Sequence, residues 1–237
     1  MPFRRSLRAS LVAAGLAAAG PAAADSATYS LTLSGIPLGT VTLQSDQSGR
    51  DYVAASKITP NGLLSAVTGY SFDGRARGLV DASGKVTPLA FEADSTSPRA
   101  TRRTEIEWRD GVPTRVSVEP PRKYAADPDR VAGALDPVSA SFALLRDNAP
   151  DAICDTSIDV FDGSRRSRLS LGRPQPGPEG VTCAGTYARL EGERHSFSPQ
   201  AEYPFVLTFT QAGDGRMRLE RIETQTRFGT AVVSRRG

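Results

Sequence analysis

The sequence predicts an all-β fold: an antiparallel sheet that curves toward a barrel or a two-layer arrangement, with one short helix. Apolar and polar residues alternate with a period of two along much of the chain, as in half-buried strands. Turn residues separate these short segments. Glycines stand in or beside the segments, where they often mark bends of a curved sheet: Gly39, Gly69, Gly74, Gly78 and Gly185.

The first strands are predicted over residues 29–33, 40–44 and 51–58. The clearest hairpin joins residues 104–109 to 112–119 through Asp110-Gly111, a favoured two-residue turn because both positions tolerate positive φ. Alternation divides the first of these two strands between a core-facing set, which is Thr104, Ile106 and Trp108, and a solvent-facing set, which is Glu105, Glu107 and Arg109.

A helix is predicted over residues 137–147. Asp136 is a suitable N-cap, and Pro137 suits the first helical position. Val138, Phe142 and Leu145 then follow at helical spacing. Later strands are predicted over residues 157–161, 165–171, 181–190, 205–210, 216–223 and 226–234, with a Pro/Gly loop at 172–180.

Residues 1–24 have the pattern of an export signal. Three arginines precede an uncharged apolar run at 11–20, and Pro21 and three alanines follow it. A run of that length is too short for a spanning helix, which needs about 20 residues. We therefore expect cleavage after Ala24, a periplasmic location, no membrane span after cleavage, and a single β-rich domain at 25–237.

Removing the signal changes the charge of the chain. The full sequence has 29 Lys and Arg against 26 Asp and Glu, and three of the arginines lie within the first 24 residues. The exported part therefore has 26 groups of each sign. This balance argues against nucleic acid as a partner, which requires surplus positive charge. The oligomeric state is not predicted.

The two cysteines, Cys154 and Cys183, are predicted to form a disulfide, since exported chains fold in an oxidising compartment. Two free buried thiols are the alternative. A closed zinc site is disfavoured because two cysteines and a single histidine are too few ligands without added carboxylates.

Motifs for catalysis are missing from the sequence. His195 is the only histidine, and its loop-like surroundings suggest a surface position. The sequence contains no Gly-x-Ser-x-Gly nucleophile motif and no dinucleotide-binding fingerprint. We therefore assign no catalytic, cofactor-binding or metal-binding residue, expect no cofactor, and favour a non-enzymatic protein over an enzyme.

Two charged patterns have alternative interpretations. The acid pairs Glu105/Glu107 and Glu191/Glu193 could serve a glycosidase, but a solvated face explains the first pair better. The basic runs at 165–168 and 99–103 could meet anionic lipid or polysaccharide; solvated strand edges are the favoured interpretation.

Curved antiparallel sheets enclose either an apolar pocket or a packed core. A core position is the better prediction for each in-facing aromatic residue: Trp108, Tyr187, Phe205 and Phe209. The leading hypothesis is a non-enzymatic periplasmic protein that binds an apolar or envelope-derived ligand, or serves as an envelope accessory. The alternatives are a carboxylate-dependent hydrolase of envelope polymers and a structural, partner-binding protein.

Several segments, in order, resemble a bacterial family of exported proteins, domain of unknown function 3108 (DUF3108). They are Tyr29 with residues 35–40, residues 59–63, residues 136–139, residues 160–166 and residues 228–233. The resemblance implies a β-rich domain in the Gram-negative envelope and assigns no catalytic residue.

Overall fold

The computed structural model describes residues 23–62, 70–98, 100–192 and 202–236. The first described strand begins at Ala23, and most of the predicted export signal lies outside the described residues. The elements are β1 (Ala23–Leu33), β2 (Ile36–Ser48), β3 (Asp51–Pro60), β4 (Ser71–Val80), β5 (Val86–Ser97), β6 (Ala100–Arg109), β7 (Val112–Glu119), α1 (Pro137–Leu145), β8 (Thr156–Phe161), β9 (Arg166–Leu171), β10 (Gln175–Gly177), β11 (Gly180–Glu191), β12 (Glu202–Gln211), β13 (Met217–Thr226) and β14 (Gly229–Arg235).

These strands form one antiparallel sheet, in the order β7-β6-β5-β4-β3-β2-β1-β14-β13-β12-β11-β9-β8, with β10 paired to β11. The pairing of β1 with β14 joins the two halves, and it places Tyr29 opposite Arg235. Among the described strands, β7 and β8 end the sheet and do not pair, so the sheet curves without closing. The predicted all-β fold with a curved sheet is confirmed.

The β6–β7 hairpin has the predicted geometry. Asp110 and Gly111 form its turn with φ values of 53° and 75°, both in the left-handed region that two-residue hairpin turns require. The inner side chains of β6, from Thr104 to Trp108, are buried, whereas Glu107 and Arg109 are exposed. Local turn chemistry and alternation therefore suffice to predict this hairpin.

Helix α1 begins as predicted. The carboxylate of buried Asp136 accepts hydrogen bonds from the backbone N–H groups of Val138 (2.9 Å) and Ser139 (2.8 Å). The helix ends at Leu145, two residues earlier than predicted, because Arg146 has an extended backbone (φ −64°, ψ 152°). Four of its side chains are buried, so the helix packs inside the curve of the sheet rather than on its surface.

The connection between β7 and β8 contacts both ends of the sheet. The N–H of Gly133 donates to Gly111 O in the β6–β7 turn (2.8 Å). Leu135 N–H donates to Asp159 O on β8, and Ala126 N–H donates to Ser164 O beyond it (both 2.8 Å). This segment therefore fills the place where a closed barrel would pair its two terminal strands.

Two apolar clusters form the core. The first joins α1 to the inner face of β3–β6 and includes stacked rings of Tyr52 and Phe142, whose centroids are 4.6 Å apart. The second lies beneath β11–β13, around Phe209 and Leu219. Within it Cys154 and Cys183 form the predicted disulfide, with their Cα atoms 5.7 Å apart.

The Pro/Gly segment 172–180 is not only a loop. Gln175–Gly177 forms the short strand β10, which pairs antiparallel with the start of β11. The prolines of this segment interrupt the alternation by which a strand is recognised in sequence, so β10 was not predicted.

Candidate functional site

A groove of about 810 Å³ lies on the face of β1–β7 that points away from α1. Tyr52 and Ala54 of β3 are buried toward the core, so the alternate residues Val53 and Ala55 face the groove. Ala90 of β5 lies in the same floor, and Val53 is 55% exposed. We call this feature the outer groove. Its floor consists of apolar side chains, and because they are small they leave room above the sheet.

Two arginines stand in the middle of the outer groove. Arg75 and Arg77 are alternate residues of β4, and both are exposed. The register places Arg77 between Val53 on β3 and Ala90 on β5. Within the described parts of the chain, neither guanidinium forms a salt bridge. The groove therefore combines an apolar floor with two unpaired positive charges.

Three glutamates line the other side of the outer groove, and arginines neutralise them. Arg103 Nε lies 2.8 Å from Glu105 Oε1, and a nitrogen of the same guanidinium lies 3.9 Å from Glu92. Arg115 lies 3.6 Å from Glu107. The solvent-facing interpretation of the Glu105/Glu107 pair is confirmed, since Glu107 is exposed and Glu105 is only half-buried.

A second cavity, of about 1020 Å³, lies on the inner side of the sheet. Its walls are the β4–β5 turn at 81–85, the C-terminal end of α1 with residues 146–149, and the first residues of β8. We call it the inner cavity. It is rich in charged groups, and both it and the outer groove reach Asp25 and Ser45.

A buried polar network lies between α1 and β3. The Ser139 hydroxyl donates to the second carboxylate oxygen of Asp136, and the Tyr52 hydroxyl lies 2.6 Å from Ser139 Oγ. Burial raises the pKa of Asp136 to about 6, although its hydrogen bonds favour the ionised form. Burial also raises the pKa of Tyr52. The network is packed in the core and lines neither cavity, so it anchors the helix rather than a ligand.

The predicted in-facing aromatic residues divide into two groups. Trp108 and Phe209 are core residues, at 5% and 1% exposed. Tyr187 and Phe205 are half-buried, and the Tyr187 hydroxyl donates to Ser167 Oγ (2.7 Å). The core prediction therefore fits the first pair better than the second.

The interpretation of the basic run at 165–168 as a solvated strand edge was wrong. β9 is paired on both sides, by β8 and β11. Arg165 is 7% exposed and lies 3.1 Å from Asp162. Arg166 and Arg168 both hold the carboxylate of Asp159, at 2.9 and 2.6 Å. Each of these arginines is therefore paired with an aspartate, although Arg168 is itself exposed, and spacing along one strand cannot reveal such pairs.

The run at 99–103 was also wrongly interpreted as an edge: its described residues, 100–103, belong to β6, which lies between β5 and β7, and Arg99 falls outside the described residues. Glu191 is half-buried and lies 3.1 Å from Arg130, whereas Glu193 and His195 fall outside the described residues. In the parts that the structure describes, no three His, Cys, Asp or Glu side chains are grouped so that they could hold a metal ion.

The match to a family profile extends over nearly the whole sheet. The profile, described as "Protein of unknown function (DUF3108)", covers residues 28–235, from β1 to the last residue of β14. The chain belongs to this family. The comparisons with curated proteins and with solved structures gave no match. In this DUF3108 chain, no helix among the described residues is long and apolar enough to cross a membrane.

Proposed function

We propose that the protein is a non-enzymatic, exported binder of an amphiphilic molecule of the cell envelope. The observation that carries the proposal is the outer groove, in which exposed Val53 lies in an apolar floor beside the unpaired arginines Arg75 and Arg77. Hydrocarbon would cover the floor, and an anionic group would meet the guanidinium groups. The volume of about 810 Å³ falls in the range of small-molecule sites.

The export pattern of residues 1–24 and the Cys154–Cys183 disulfide support a periplasmic location. Residues 25–237 would then form a single domain, which the continuous sheet supports. N-terminal sequencing of protein recovered from the periplasm tests the location and the cleavage site together. We expect the mature chain to start at Asp25; an intact N-terminus in the cytoplasm would contradict export.

The hydrolase alternative has less support. A glycosidase needs two carboxyl groups that act as acid and base or nucleophile on either side of a bond. In the outer groove, Arg103 contacts both Glu92 and Glu105, and Arg115 contacts Glu107. These contacts hold the acids as ion pairs rather than as a free catalytic couple.

The proposed function is tested by titrating the mature protein with lauric acid below its micelle concentration, using isothermal titration calorimetry. Val53→Asp should weaken binding by about tenfold or more, because it removes an apolar contact and adds a negative charge. Val206→Asp is the matched control: Val206 is also an exposed valine on a strand, at 40%, and it lies outside the groove.

The role of the arginines needs a neutral probe of the same chain length. Arg75→Gln with Arg77→Gln should weaken laurate binding and leave lauryl alcohol binding unchanged, whereas Arg173→Gln, an exposed loop control, should alter neither. Absence of laurate binding to the wild type would overturn the proposal. Equal losses in the Val53 and Val206 variants would also contradict it. Capture of a protein segment in the groove instead would favour the partner-binding alternative.

A further inference from the structure

Most acidic side chains that line the inner cavity are paired with other groups of the protein, whereas the basic side chains are not paired with carboxylates. Three of its carboxylates already have partners. Asp147 is held by Arg218 at 2.7 Å, and Asp159 is held by two arginines of β9. The carboxylate of Asp81 is bound within the β4–β5 turn, where it accepts hydrogen bonds from the Ser83 hydroxyl (2.6 Å) and from two backbone N–H groups. These acids have little capacity left for a cation in the cavity.

The bases are not matched in the same way. Lys85, Arg146 and Arg216 all line the inner cavity, and within the described residues none of them forms a salt bridge with a carboxylate. The remaining acid on the lining is Asp25, which forms no salt bridge within the described residues. The lining residues that form no salt bridge therefore carry a net positive charge.

Arg146 is held with its guanidinium at the cavity. Its Nη2 donates to Gly84 O (2.6 Å) and its Nε donates to Asn148 Oδ1 (3.2 Å), while the guanidinium carbon lies 5.1 Å from the centre of the Phe142 ring. A guanidinium has five N–H donors, so these contacts fix its orientation and leave donors over.

Arg216 lies beside Arg146, because its guanidinium contacts the backbone of Asp147, the residue that follows Arg146, and both arginines line the same cavity. Burial lowers the pKa of the half-buried Arg146, and the positive charge of Arg216 lowers it further. Arg216 donates one hydrogen bond to the backbone oxygen of Asp147, which is uncharged. Two neighbouring guanidinium groups that repel each other are stabilised when an anion lies between them.

We propose that the inner cavity binds a phosphate group between Arg146 and Arg216, with Lys85 at the rim. Phosphate suits this site because paired guanidinium groups offer N–H donors that match its oxygens. The cavity, at about 1020 Å³, has room for more than the phosphate itself. The phosphate could belong to a soluble molecule or to a lipid headgroup. This site is separate from the function proposed for the outer groove.

The test is a titration of the mature protein with inorganic phosphate at constant ionic strength, followed by calorimetry or by phosphorus NMR. We expect saturable binding, which Arg216→Gln weakens by roughly tenfold, the value of one charge-assisted hydrogen bond. Arg227→Gln is the control, since Arg227 is also exposed and follows the other end of β13. Arg146→Lys keeps the charge but loses the planar fork, and it should also weaken phosphate binding while the circular dichroism spectrum stays unchanged.

A second arm identifies the source of the phosphate. Sedimentation with phosphatidylglycerol vesicles, compared with phosphatidylcholine vesicles, would indicate a lipid headgroup if Arg216→Gln abolishes the difference; binding of inorganic phosphate alone would indicate a soluble ligand. The proposal is overturned if the wild type binds neither probe, or if Arg216→Gln and Arg227→Gln behave alike. Val53→Asp should leave phosphate binding intact and Arg216→Gln should leave laurate binding intact, so each site can fail separately.

Discussion

The hydroxyl oxygen of Tyr52 lies 2.6 Å from Ser139 Oγ, which joins β3 to the first turn of α1. The Ser139 hydroxyl donates a hydrogen bond to the Asp136 carboxylate. While Asp136 is ionised, Tyr52 must therefore be the donor in its contact with Ser139. One chain of hydrogen bonds therefore connects the sheet, the helix and the N-cap in the core. Each of its members is almost inaccessible to water.

Tyr52→Phe should lower the free energy of unfolding by about 1 kcal/mol, because the ring can still stack on Phe142 but Ser139 loses its donor. Urea unfolding followed by fluorescence measures the change. Tyr124→Phe is the matched control, since Tyr124 is 62% exposed and should show no measurable loss. Equal stability of the two variants would mean that the Tyr52 hydroxyl contributes nothing.

The free energy of unfolding should fall as the pH rises toward neutrality. The pKa of Asp136 is about 6 in the folded protein against an ordinary value of 3.8. Between these two values the folded state holds the proton more tightly than the unfolded chain, so folding is favoured at the acidic end and loses up to about 3 kcal/mol by pH 7. Asp159 affects stability only at lower pH. Its hydrogen bonds with Arg168 lower its pKa, so its contribution to the free energy of unfolding is lost only as the pH falls below the ordinary value of 3.8.

Asp136→Asn isolates this effect. Asparagine remains a good N-cap and stays neutral at every pH, so the variant should gain stability relative to the wild type between about pH 4 and pH 7. Urea midpoints of both proteins across that range provide the comparison. Parallel curves would show that Asp136 does not titrate in the folded core as described.

Local signals predict the hairpin turn and the start of the helix, whereas β4, for which no strand bounds were predicted, lacks such a signal. Three of the four buried residues of β4 are Gly74, Ala76 and Gly78, whose small side chains give no clear alternation of large apolar and polar residues. At Gly78 a Cβ would lie 2.7 Å from the Tyr52 ring, so the space is filled by a residue of the neighbouring strand. The side chains of β4 are small where those of the neighbouring strand are large, and the sequence of one segment alone does not reveal this complementarity.

The candidate sites were hidden for a similar reason. Arg75 and Arg77 match no motif, and only the register with β3 and β5 places them above an apolar floor. Arg146 and Arg216 are distant in the chain and meet at the inner cavity through the packing of α1 inside the sheet. By contrast, Asp136-Pro137 and Asp110-Gly111 act on their nearest neighbours, and both were predicted correctly.

Replacing both disulfide cysteines by alanine should lower the free energy of unfolding by roughly 3 to 4 kcal/mol, since the bridge closes a long loop in the unfolded chain. The two residues are 29 positions apart, and both are buried in the second apolar cluster. Urea unfolding with and without a reducing agent measures the loss. The reducing agent should destabilise the wild type and leave the variant unchanged; a wild type insensitive to complete reduction would contradict the expected contribution.

Gly163→Ala should destabilise the contact between the β8–β9 turn and the β6–β7 hairpin. At Gly163, where φ is 85°, an added Cβ would lie 2.8 Å from Thr104 Cγ2 and 3.0 Å from Val118 Cγ2. Gly133→Ala is a matched control, because Gly133 has φ of 78° and nothing within 4 Å of the added atom. Both variants incur the backbone cost of roughly 1 to 2 kcal/mol, and only the first adds about 1 to 3 kcal/mol of overpacking. Urea unfolding of the two variants separates the terms: equal losses would mean that the turn moves away from β6 and β7 at no cost, whereas a larger loss for Gly163→Ala indicates that this contact helps to hold the two ends of the open sheet together.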